Sequence, residues 1–282
     1  MQYQNFDYII LGGGCSALSL ASNISDKKID RYSFLILESR IKYEDDRSWC
    51  FWEEKKSKMN YLVSCSWKSF SFGVDNRKII HNSQKYDYKY IRSIDFYNKT
   101  VKKIIKTPNI NLKLGEVVKN VSEQNQGFLV HTNKHSYLTK YIIDTRPKKN
   151  IYLKSPFLFQ SFLGYEIKVK EDKSVFNIAK IMDNMRVKNN LFIFDYILPL
   201  KKNVFLIEIT AFSKNNVPIN TLKLLLNETL KKQRLTGYKI VRKEHGVIPM
   251  GFIDNKKISK TKNYFLAGSL GGAIRPSSGY AF

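Results

Sequence analysis

Residues 6–21, FDYIILGGGCSALSLA, constrain the fold more than any other part of the chain. The apolar run at 8–11 is typical of a parallel strand that is covered on both faces. Three glycines follow directly, and the residues after them begin a helical pattern of apolar side chains. A strand, a glycine turn and a helix in this order predict the first βαβ unit of a dinucleotide-binding fold.

The small residues of this turn have predicted roles at a bound cofactor. Gly12 permits the tight turn, Gly14 lets the backbone approach a pyrophosphate, and Ala17 lets the helix pack close to the strand. Gly13 and Cys15 complete the turn and the start of the helix. The N–H groups at that end of the helix attract phosphate, so we predict that all five residues contact the cofactor.

An acidic residue after the second strand supports this interpretation. Residues 34–37 (FLIL) predict the next parallel strand, and Glu38 ends it. A carboxylate at that position can accept hydrogen bonds from the ribose hydroxyls of an adenosine. The motif lies near the start of the chain and favours FAD, although spacing alone does not exclude NAD. The alternative is a glycine-rich turn in another α/β protein, with Glu38 in water.

Composition sets bounds on the class of protein. The 282 residues are enough for one or two domains, and 43% of them are hydrophobic, as in globular proteins. The formal net charge of +24 indicates either a general excess of lysine or attraction to an anionic membrane surface. The lysines are scattered, whereas nucleic-acid-binding proteins concentrate basic residues on one face. We therefore expect no nucleic-acid partner.

The same composition bears on cellular location. Three cysteines without metal-ligand spacing indicate a reducing cytosol, and no metal site is expected. The chain enters a strand almost directly, which indicates that no signal peptide precedes it. The sequence has no apolar run of the length that spans a bilayer. We expect a cytoplasmic protein that is soluble or peripheral at the inner face of a membrane.

Several further elements are predicted. Residues 45–52 form a loop, and 111–143 form a meander of short strands. Asn220 or Thr221 caps the helix at 220–232, and a final helix begins at Ser277. A helix is predicted at 90–105, with core residues Ile91, Ile94, Val101 and Ile105. Pro199 and residues 201–203 are predicted to turn the strands at 191–198 and 203–211 into a hairpin. The full set of further predicted strands is 67–74, 157–167, 191–198, 203–211, 238–248 and 264–267.

Glu208 is the first candidate for chemistry, because it is an ionisable residue in an otherwise apolar strand, FLIEIT. Alternation places it on one face with Leu206 and Thr210. In a dry pocket, burial would raise its pKa and keep the proton that a general acid needs. An edge strand with Glu208 in water is the alternative. Glu244 offers a second acid, and the neighbouring His245 has no evident nucleophile partner, which favours a structural role.

Other residues are candidates for cofactor contacts, each with an alternative. Arg47 lies in the polar and aromatic loop at 45–52, where a local salt bridge is the alternative. Asp144 follows a predicted strand and either returns to the cofactor or caps a turn. Glycines before the last predicted helix indicate a phosphate or flavin-ring contact, or a loop with positive φ angles; these are Gly268, Gly271 and Gly272.

Eight stretches, taken together and in order, resemble the FAD-dependent lycopene cyclases of the bacterial β-cyclase type. They cover nearly the whole chain, and only the first is common to flavoproteins in general. The stretches are DYIILGGGCSALSLA at 7–21, DDRSWCFW at 45–52, FQSFLGYEI at 159–167, AKIMDNMR at 179–186, FDYILPL at 194–200, FLIEIT at 205–210, EHGVIPM at 244–250 and GGAIRPSSGYAF at 271–282.

The resemblance implies an α/β fold, Rossmann-like and of the flavoprotein type, with an inserted mixed β-sheet that binds substrate. We expect residues 1–150 and 260–282 to bind FAD and residues 151–259 to bind lycopene or a related carotene. The implied reaction closes the ψ end groups of lycopene into β-ionone rings without net redox, giving γ-carotene and β-carotene. It implies reduced FAD as the active form, with NAD(P)H as the external reductant.

The resemblance also implies roles for particular residues. Glu208 corresponds to the family's essential acid, and Glu244 is a candidate second carboxyl. Arg47, Pro276 and Gly279 match signatures near the flavin. Family members continue beyond the segment that matches the end of this chain, so we expect a C-terminal helical part to be missing and the chain to be a fragment.

Two other classes of protein remain open at this stage. One is an FAD-dependent oxidoreductase or monooxygenase that acts on an isoprenoid or another apolar substrate. The other is a basic module that binds membranes or nucleic acid and keeps a relic nucleotide fold. The sequence leaves open the number and type of rings formed and the oligomeric state.

Overall fold

A computed structural model of the chain describes residues 3–75, 77–147, 153–170, 178–253 and 261–281. Within these ranges the protein forms three β-sheets and three α-helices. The helices are α1 (Cys15–Asp26), α2 (Ser93–Ile104) and α3 (Ile219–Lys232), and single 3-10 turns lie at Asn60–Leu62 and Gly268–Gly271. This mixed architecture agrees with the predicted α/β fold class.

The described strands are numbered in chain order. They are β1 (Gln4–Leu11), β2 (Phe34–Glu38), β3 (Ser48–Glu54), β4 (Cys65–Trp67), β5 (Ser69–Val74), β6 (Arg77–Asn82), β7 (Tyr86–Arg92), β8 (Ile110–Leu114), β9 (Val118–Gln124), β10 (Gly127–Thr132), β11 (Ser136–Asp144), β12 (Leu153–Lys168), β13 (Ala179–Lys188), β14 (Leu191–Lys201), β15 (Val204–Ser213), β16 (Lys239–Ile253) and β17 (Tyr264–Leu266).

The first sheet carries the glycine turn. Its strand order is β8-β2-β1-β11-β10-β9, with β17 pairing to β11, and its central strands are parallel. Helices α1 and α2 pack on the face that presents Ile10 and Ile36. The opposite face presents Ile9 and Leu35 to a second apolar cluster. Because both faces are covered, the first two strands are continuously apolar.

The second sheet has the order β16-β12-β15-β14-β13-β5-β6 and is mixed, because β13 and β5 are parallel while the other pairs are antiparallel. Helix α3 covers the face of Phe205 and Ile207. Leu198 and Leu206 face the other way, toward aromatic residues of the third sheet, β3-β7-β4. A helix and a small sheet therefore enclose the two faces of β15.

The predicted domain division does not follow the sheets. Strands β5 and β6 precede residue 150 yet belong to the second sheet, beside strands from 153–253. The predicted boundaries at 150/151 and 259/260 lie outside the described residues. The division into two domains stays a prediction.

Local differences from the sequence predictions concern element boundaries. Tyr90 and Ile91 belong to β7, and α2 begins only at Ser93, because the alternating aromatic side chains of β7 are buried against the second sheet. Ile104 is buried, whereas Ile105 is exposed. The segment predicted as a loop at 45–52 contributes most of β3, whose seven residues pair with β7.

Further differences lie in caps and pairings. Pro218, not Asn220 or Thr221, occupies the N-cap of α3. Pro199 pairs with Phe205 inside the predicted hairpin instead of turning it. Strand β8 pairs in parallel with β2 and lies outside the antiparallel meander. The predicted helix at Ser277 is a turn in which the N–H groups of residues 278 and 279 donate to Arg275.

The packing of α3 allows a stability test on one helix. Leu226 is fully buried against the second sheet, whereas Leu224 is 67% exposed. Leu226→Ala should lower the free energy of unfolding by about 2–5 kcal/mol, because it removes buried methyl groups and leaves a cavity. Leu224→Ala is the matched control and should change it by about 0.5 kcal/mol or less. Equal effects in chemical denaturation would contradict this packing.

Candidate cofactor and active site

The glycine turn has the backbone geometry that its sequence predicts. Gly12 adopts φ +91°, and its N–H donates to the Leu37 carbonyl at 2.8 Å. A Cβ at this position would lie 2.9 Å from the Thr145 hydroxyl oxygen. Both the positive φ and the close approach require glycine. Ala17 is fully buried, which lets α1 pack directly on the first strand.

The start of α1 has room for a phosphate. Gly14 is the N-cap residue with φ −78°, and none of the described side chains makes a cap hydrogen bond there. A Cβ on Gly14 would meet no described atom within 4 Å. Open space beside uncapped N–H groups is what an anion needs at a helix N-terminus. The residues of this turn therefore fit the pyrophosphate of a dinucleotide.

Glu38 is held by the protein at the end of β2. It is 5% exposed, and its Oε2 accepts hydrogen bonds from the Gly13 N–H at 2.7 Å and from Arg40 Nη2 at 3.0 Å. Burial acts to raise the pKa of Glu38, but the hydrogen bonds from Arg40 outweigh it and lower the pKa. The alternative of a solvated Glu38 is wrong.

Asp144 lies beside the glycine turn, but its carboxylate already has partners within the protein. Its carboxylate pairs with Arg146, at 2.9 Å to both Nε and Nη2, and accepts from the Tyr264 hydroxyl at 2.7 Å. Arg146 in turn contacts the Gly12 region, with its Cγ 3.2 Å from the position of a Cβ there. Asp144 thus orients Arg146 next to the predicted cofactor site.

Burial raises the pKa of the Cys15 thiol to about 11 and keeps it neutral.

The segment after β17, residues 267–281, runs from the first sheet to the second sheet. Gly268, at φ +64°, packs on Ser16 of α1, so the segment starts beside the predicted phosphate site. Gly271 follows in the 3-10 turn and Gly272 ends it at φ +82°. The segment then reaches the second sheet.

A tight turn ends this segment. The turn contains Pro276, and its Gly279, at φ +74°, would place a Cβ 2.7 Å from Gln160 Oε1 of β12. The segment therefore spans the distance from the glycine turn to the second sheet.

Glu208 and Glu244 lie on either side of one glycine. In β12, Gly164 pairs with Glu208 of β15 on one side and with Glu244 of β16 on the other. A Cβ on Gly164 would lie 3.3 Å from Glu208 Cβ and 3.3 Å from Glu244 Cγ. Strand β15 lies inside the sheet, so the alternative of an edge strand is wrong. The absence of a side chain at Gly164 leaves room for the two carboxyls.

The surroundings of Glu208 favour its protonated form. Burial is the largest cause and the charge of Glu244 the second, and they raise the pKa of Glu208 to about 8. The hydrogen bond that Thr210 Oγ1 donates at 2.8 Å acts to lower this pKa. Tyr196 of the neighbouring strand β14 lies directly opposite Glu208 in the antiparallel pairing of β14 with β15. A carboxyl that keeps its proton at neutral pH inside a largely apolar layer has the properties of a general acid.

Aromatic residues from three strands and the last segment lie around this carboxyl. The Tyr88 hydroxyl lies 2.6 Å from the Tyr196 hydroxyl and 2.9 Å from the Tyr280 hydroxyl. The Trp52 ring lies 4.7 Å from Tyr88 and 5.4 Å from Tyr280, between ring centroids. The turn at the end of the last segment thus meets β3, β7 and β14 beside Glu208. Ring faces of this kind attract positive charge.

Glu244 has a different environment from Glu208. It is 5% exposed, and its Oε2 accepts from Arg242 Nη1 at 2.7 Å and from Ser48 Oγ at 2.8 Å. The neighbouring His245 is exposed, so its predicted structural role finds no buried contact. Arg47 is mostly exposed, forms a long ion pair with Asp46, and reaches toward Gly246 of β16.

Sequence reasoning missed several residues that the structure brings to these carboxyls. Arg242 lies two positions before Glu244, so strand alternation was a signal that both share a face. Ser48, Tyr88 and Tyr196 had no comparable signal, because strands far apart in sequence bring them together. The predicted cofactor residues lie around the glycine turn and the last segment, and the predicted acids lie on the second sheet.

Comparison with solved structures identifies the fold. A geranylgeranyl bacteriochlorophyll reductase-like protein from Thermoplasma acidophilum superposes with a TM-score of 0.71 at 16% identity, covering 99% of this chain and 74% of the other. The halogenase PltM gives 0.66 at 11% identity, covering 96% and 65%, and was also solved with FAD. A p-nitrophenol 4-monooxygenase from Pseudomonas putida DLL-E4 gives 0.66 at 12% identity, covering 94% and 73%. The fold is that of Rossmann-like flavoproteins.

The family follows from the sequence match. The chain belongs to the lycopene cyclase protein family, whose pattern it matches over residues 7–282. No curated protein sequence matches it significantly. In the described ranges, none of the helices has both the length and the apolar character needed to cross a bilayer.

Proposed function

We propose that this chain is a lycopene β-cyclase that binds FAD. Its membership of the lycopene cyclase family supports the substrate class. The observation that carries the proposal is Glu208, a carboxyl with a raised pKa of about 8 in the layer between the second and third sheets. Protonation of an alkene needs a donor that keeps its proton at neutral pH, and in an isomerisation this proton transfer is the first chemical step.

The glycine turn and the last segment would hold the cofactor. Gly12, Gly13, Gly14 and Cys15 would face the pyrophosphate, and Glu38 would face the adenosine ribose. Glycines 268, 271, 272 and 279 with Pro276 would let the backbone approach the flavin ring. Reduced FAD, supplied with electrons by NAD(P)H, would provide negative charge near a developing carbocation.

The remaining steps belong to the protein. The Glu208 carboxyl gives its proton to the terminal double bond of a ψ end group, and the cation that forms is attacked by the next double bond to close the ring. A ring carbon then gives a proton back to the Glu208 carboxylate, so the acid is regenerated, the substrate is isomerised and no electrons are consumed. The aromatic cluster around Tyr88 and Tyr196 would exclude water and stabilise positive charge.

A second candidate is an FAD-dependent oxidoreductase or monooxygenase on an apolar substrate. It is favoured by structural neighbours named as a reductase-like protein and a monooxygenase.

A peripheral position at the inner face of a membrane is part of the main proposal, because carotenes dissolve in lipid and the net charge of +24 suits an anionic surface. A basic module without a cofactor has no comparable support.

Pigment analysis separates these candidates. The chain is expressed in bacterial cells that accumulate lycopene, and the carotenoids are separated by chromatography with mass detection. We expect γ-carotene or β-carotene, which have the mass of lycopene. A product with added oxygen or hydrogen would favour the oxidoreductase. Unchanged lycopene, with folded and flavin-loaded protein, would contradict both candidates for this substrate.

A further inference from the structure

A buried guanidinium connects the carboxyl site to the third sheet. The Arg242 side chain is 8% exposed and lies 2.7 Å from Glu244, 3.1 Å from Glu166 and 3.5 Å from Asp45. Its Nη2 also donates to Ser48 Oγ at 2.7 Å. A guanidinium is charged at all accessible pH values, and carboxylates around it are favoured in their ionised form.

The two carboxyls beside Gly164 therefore have unequal partners. Glu244 accepts a charge-assisted hydrogen bond from Arg242 and a second hydrogen bond from Ser48 on the same oxygen. Glu208 accepts from the Thr210 hydroxyl and, among the described residues, has no ion pair. Two carboxyls this close do not both ionise easily. The carboxyl whose ionised form is stabilised by a guanidinium is Glu244.

We propose that Arg242 and Ser48 hold Glu244 as the ionised member of the pair, and that Glu244 acts through Glu208, as a positioning residue that fixes which of the two carboxyls carries the proton. The inference deepens the proposed function and rests on it. Glu244 then needs no contact with the substrate. Its negative charge keeps the proton on Glu208, and Gly164 sets the spacing at which it acts.

The other groups that face Glu208 do not compete for this role. Besides Glu244 and Arg242 of β16 and Thr210 of its own strand, these groups are Tyr196 of β14, Tyr280 of the last segment and Cys50 of β3. Burial raises the pKa of each of these three, so all stay neutral near pH 7. Glu244 and Arg242 are therefore the charged groups that set the proton affinity of Glu208.

Glu244→Gln tests the inference without substrate. Removing the negative charge should lower the pKa of Glu208, so the midpoint of its titration should fall by about 1 pH unit. Infrared difference spectroscopy measures this midpoint through the carboxyl C=O band, which is assigned by its loss in Glu208→Gln. Glu166→Gln is the matched control, because it removes another carboxylate from Arg242 that is not beside Gly164; its shift should be smaller.

Activity provides the second readout. The alkaline limb of the cyclisation rate should move to lower pH in Glu244→Gln, because Glu208 then loses its proton at lower pH. The rate should recover at acid pH, and Glu208→Gln should recover at none. A Glu244→Gln protein with an unshifted midpoint would overturn the inference. So would one that stays inactive at every pH although Glu208 titrates with the expected shift, because Glu244 would then take part directly.

Two further outcomes keep the tests separate. If the wild-type protein forms no cyclic carotene while the infrared midpoint shifts as expected, the cyclase proposal fails and the relation between the carboxyls stands. If Glu244→Gln does not fold, Ser48→Ala removes only one donor from Glu244. The infrared midpoint of Glu208 should then shift measurably from that of the wild type, and an unchanged midpoint would overturn the inference.

Discussion

Replacing Glu208 by glutamine is expected to abolish ring formation. The amide keeps the size of the side chain and its hydrogen bond with Thr210, which lies 2.8 Å away, but it cannot protonate an alkene. Loss of a general acid commonly lowers a rate by about 10²–10⁴-fold. The measurement is conversion of lycopene to β-carotene by purified protein with reduced FAD.

The control for this variant is the same substitution elsewhere. Glu116 is buried, 3% exposed, and hydrogen-bonds to Thr132, His135 and Tyr137 at the first sheet. Glu116→Gln should keep the cyclisation rate within a few-fold of the wild type. If Glu208→Gln retains a near wild-type rate with flavin bound, the assignment of the acid fails and Glu244 becomes the leading candidate.

A serine in place of Gly14 should separate cofactor binding from folding. The backbone at Gly14 is extended, with φ −78°, and the position of its Cβ is open, so serine fits. Serine is also a favourable N-cap, so the free energy of unfolding of the cofactor-free protein should not fall. The side chain would occupy the space predicted for the pyrophosphate. We expect FAD affinity to fall by about 10–100-fold, measured by flavin fluorescence titration.

Gly12→Ser is the contrasting variant in the same turn. Its φ of +91° and the Thr145 hydroxyl 2.9 Å away leave no room for a side chain, so this variant should lose stability as well as cofactor binding. Normal FAD affinity in a folded Gly14→Ser protein would place the pyrophosphate elsewhere. It would leave the cyclase proposal dependent on another cofactor site.

The strand–turn–helix unit of the first sheet could be predicted because its signals are local. The apolar strand, the glycine turn and the buried Ala17 follow one another in sequence, and each is required by short-range geometry. The face on which Glu208 lies could also be predicted, because side chains alternate strictly along a strand and Ile207 and Leu206 indeed face different clusters. These inferences needed no knowledge of the partner strands.

The third sheet could not be predicted for the opposite reason. Strand β3 follows the charged residues at 45–47 and ends in Glu53 and Glu54, and this charged setting favours a loop; pairing with β7 makes it a strand. The start of α2 was placed too early because Tyr90 and Ile91 have apolar side chains that suit either element. The ion pairs of Arg242 depend on the loop before β3, on β12 and on β16 together, and no local pattern specifies such contacts.

The long-range contacts of Arg242 have a consequence for folding. Arg242 and Ser48 are 194 residues apart in sequence, and Arg242 and Tyr90 are 152 apart. Contacts with such separations require closure of very large loops and form slowly. They also join two different sheets, so a partial opening between the sheets can break them while each sheet stays intact. The protonation state of Glu208 is therefore a sensor of sheet docking: a chain with complete secondary structure but undocked sheets has both carboxyls in water and no acid ready at neutral pH.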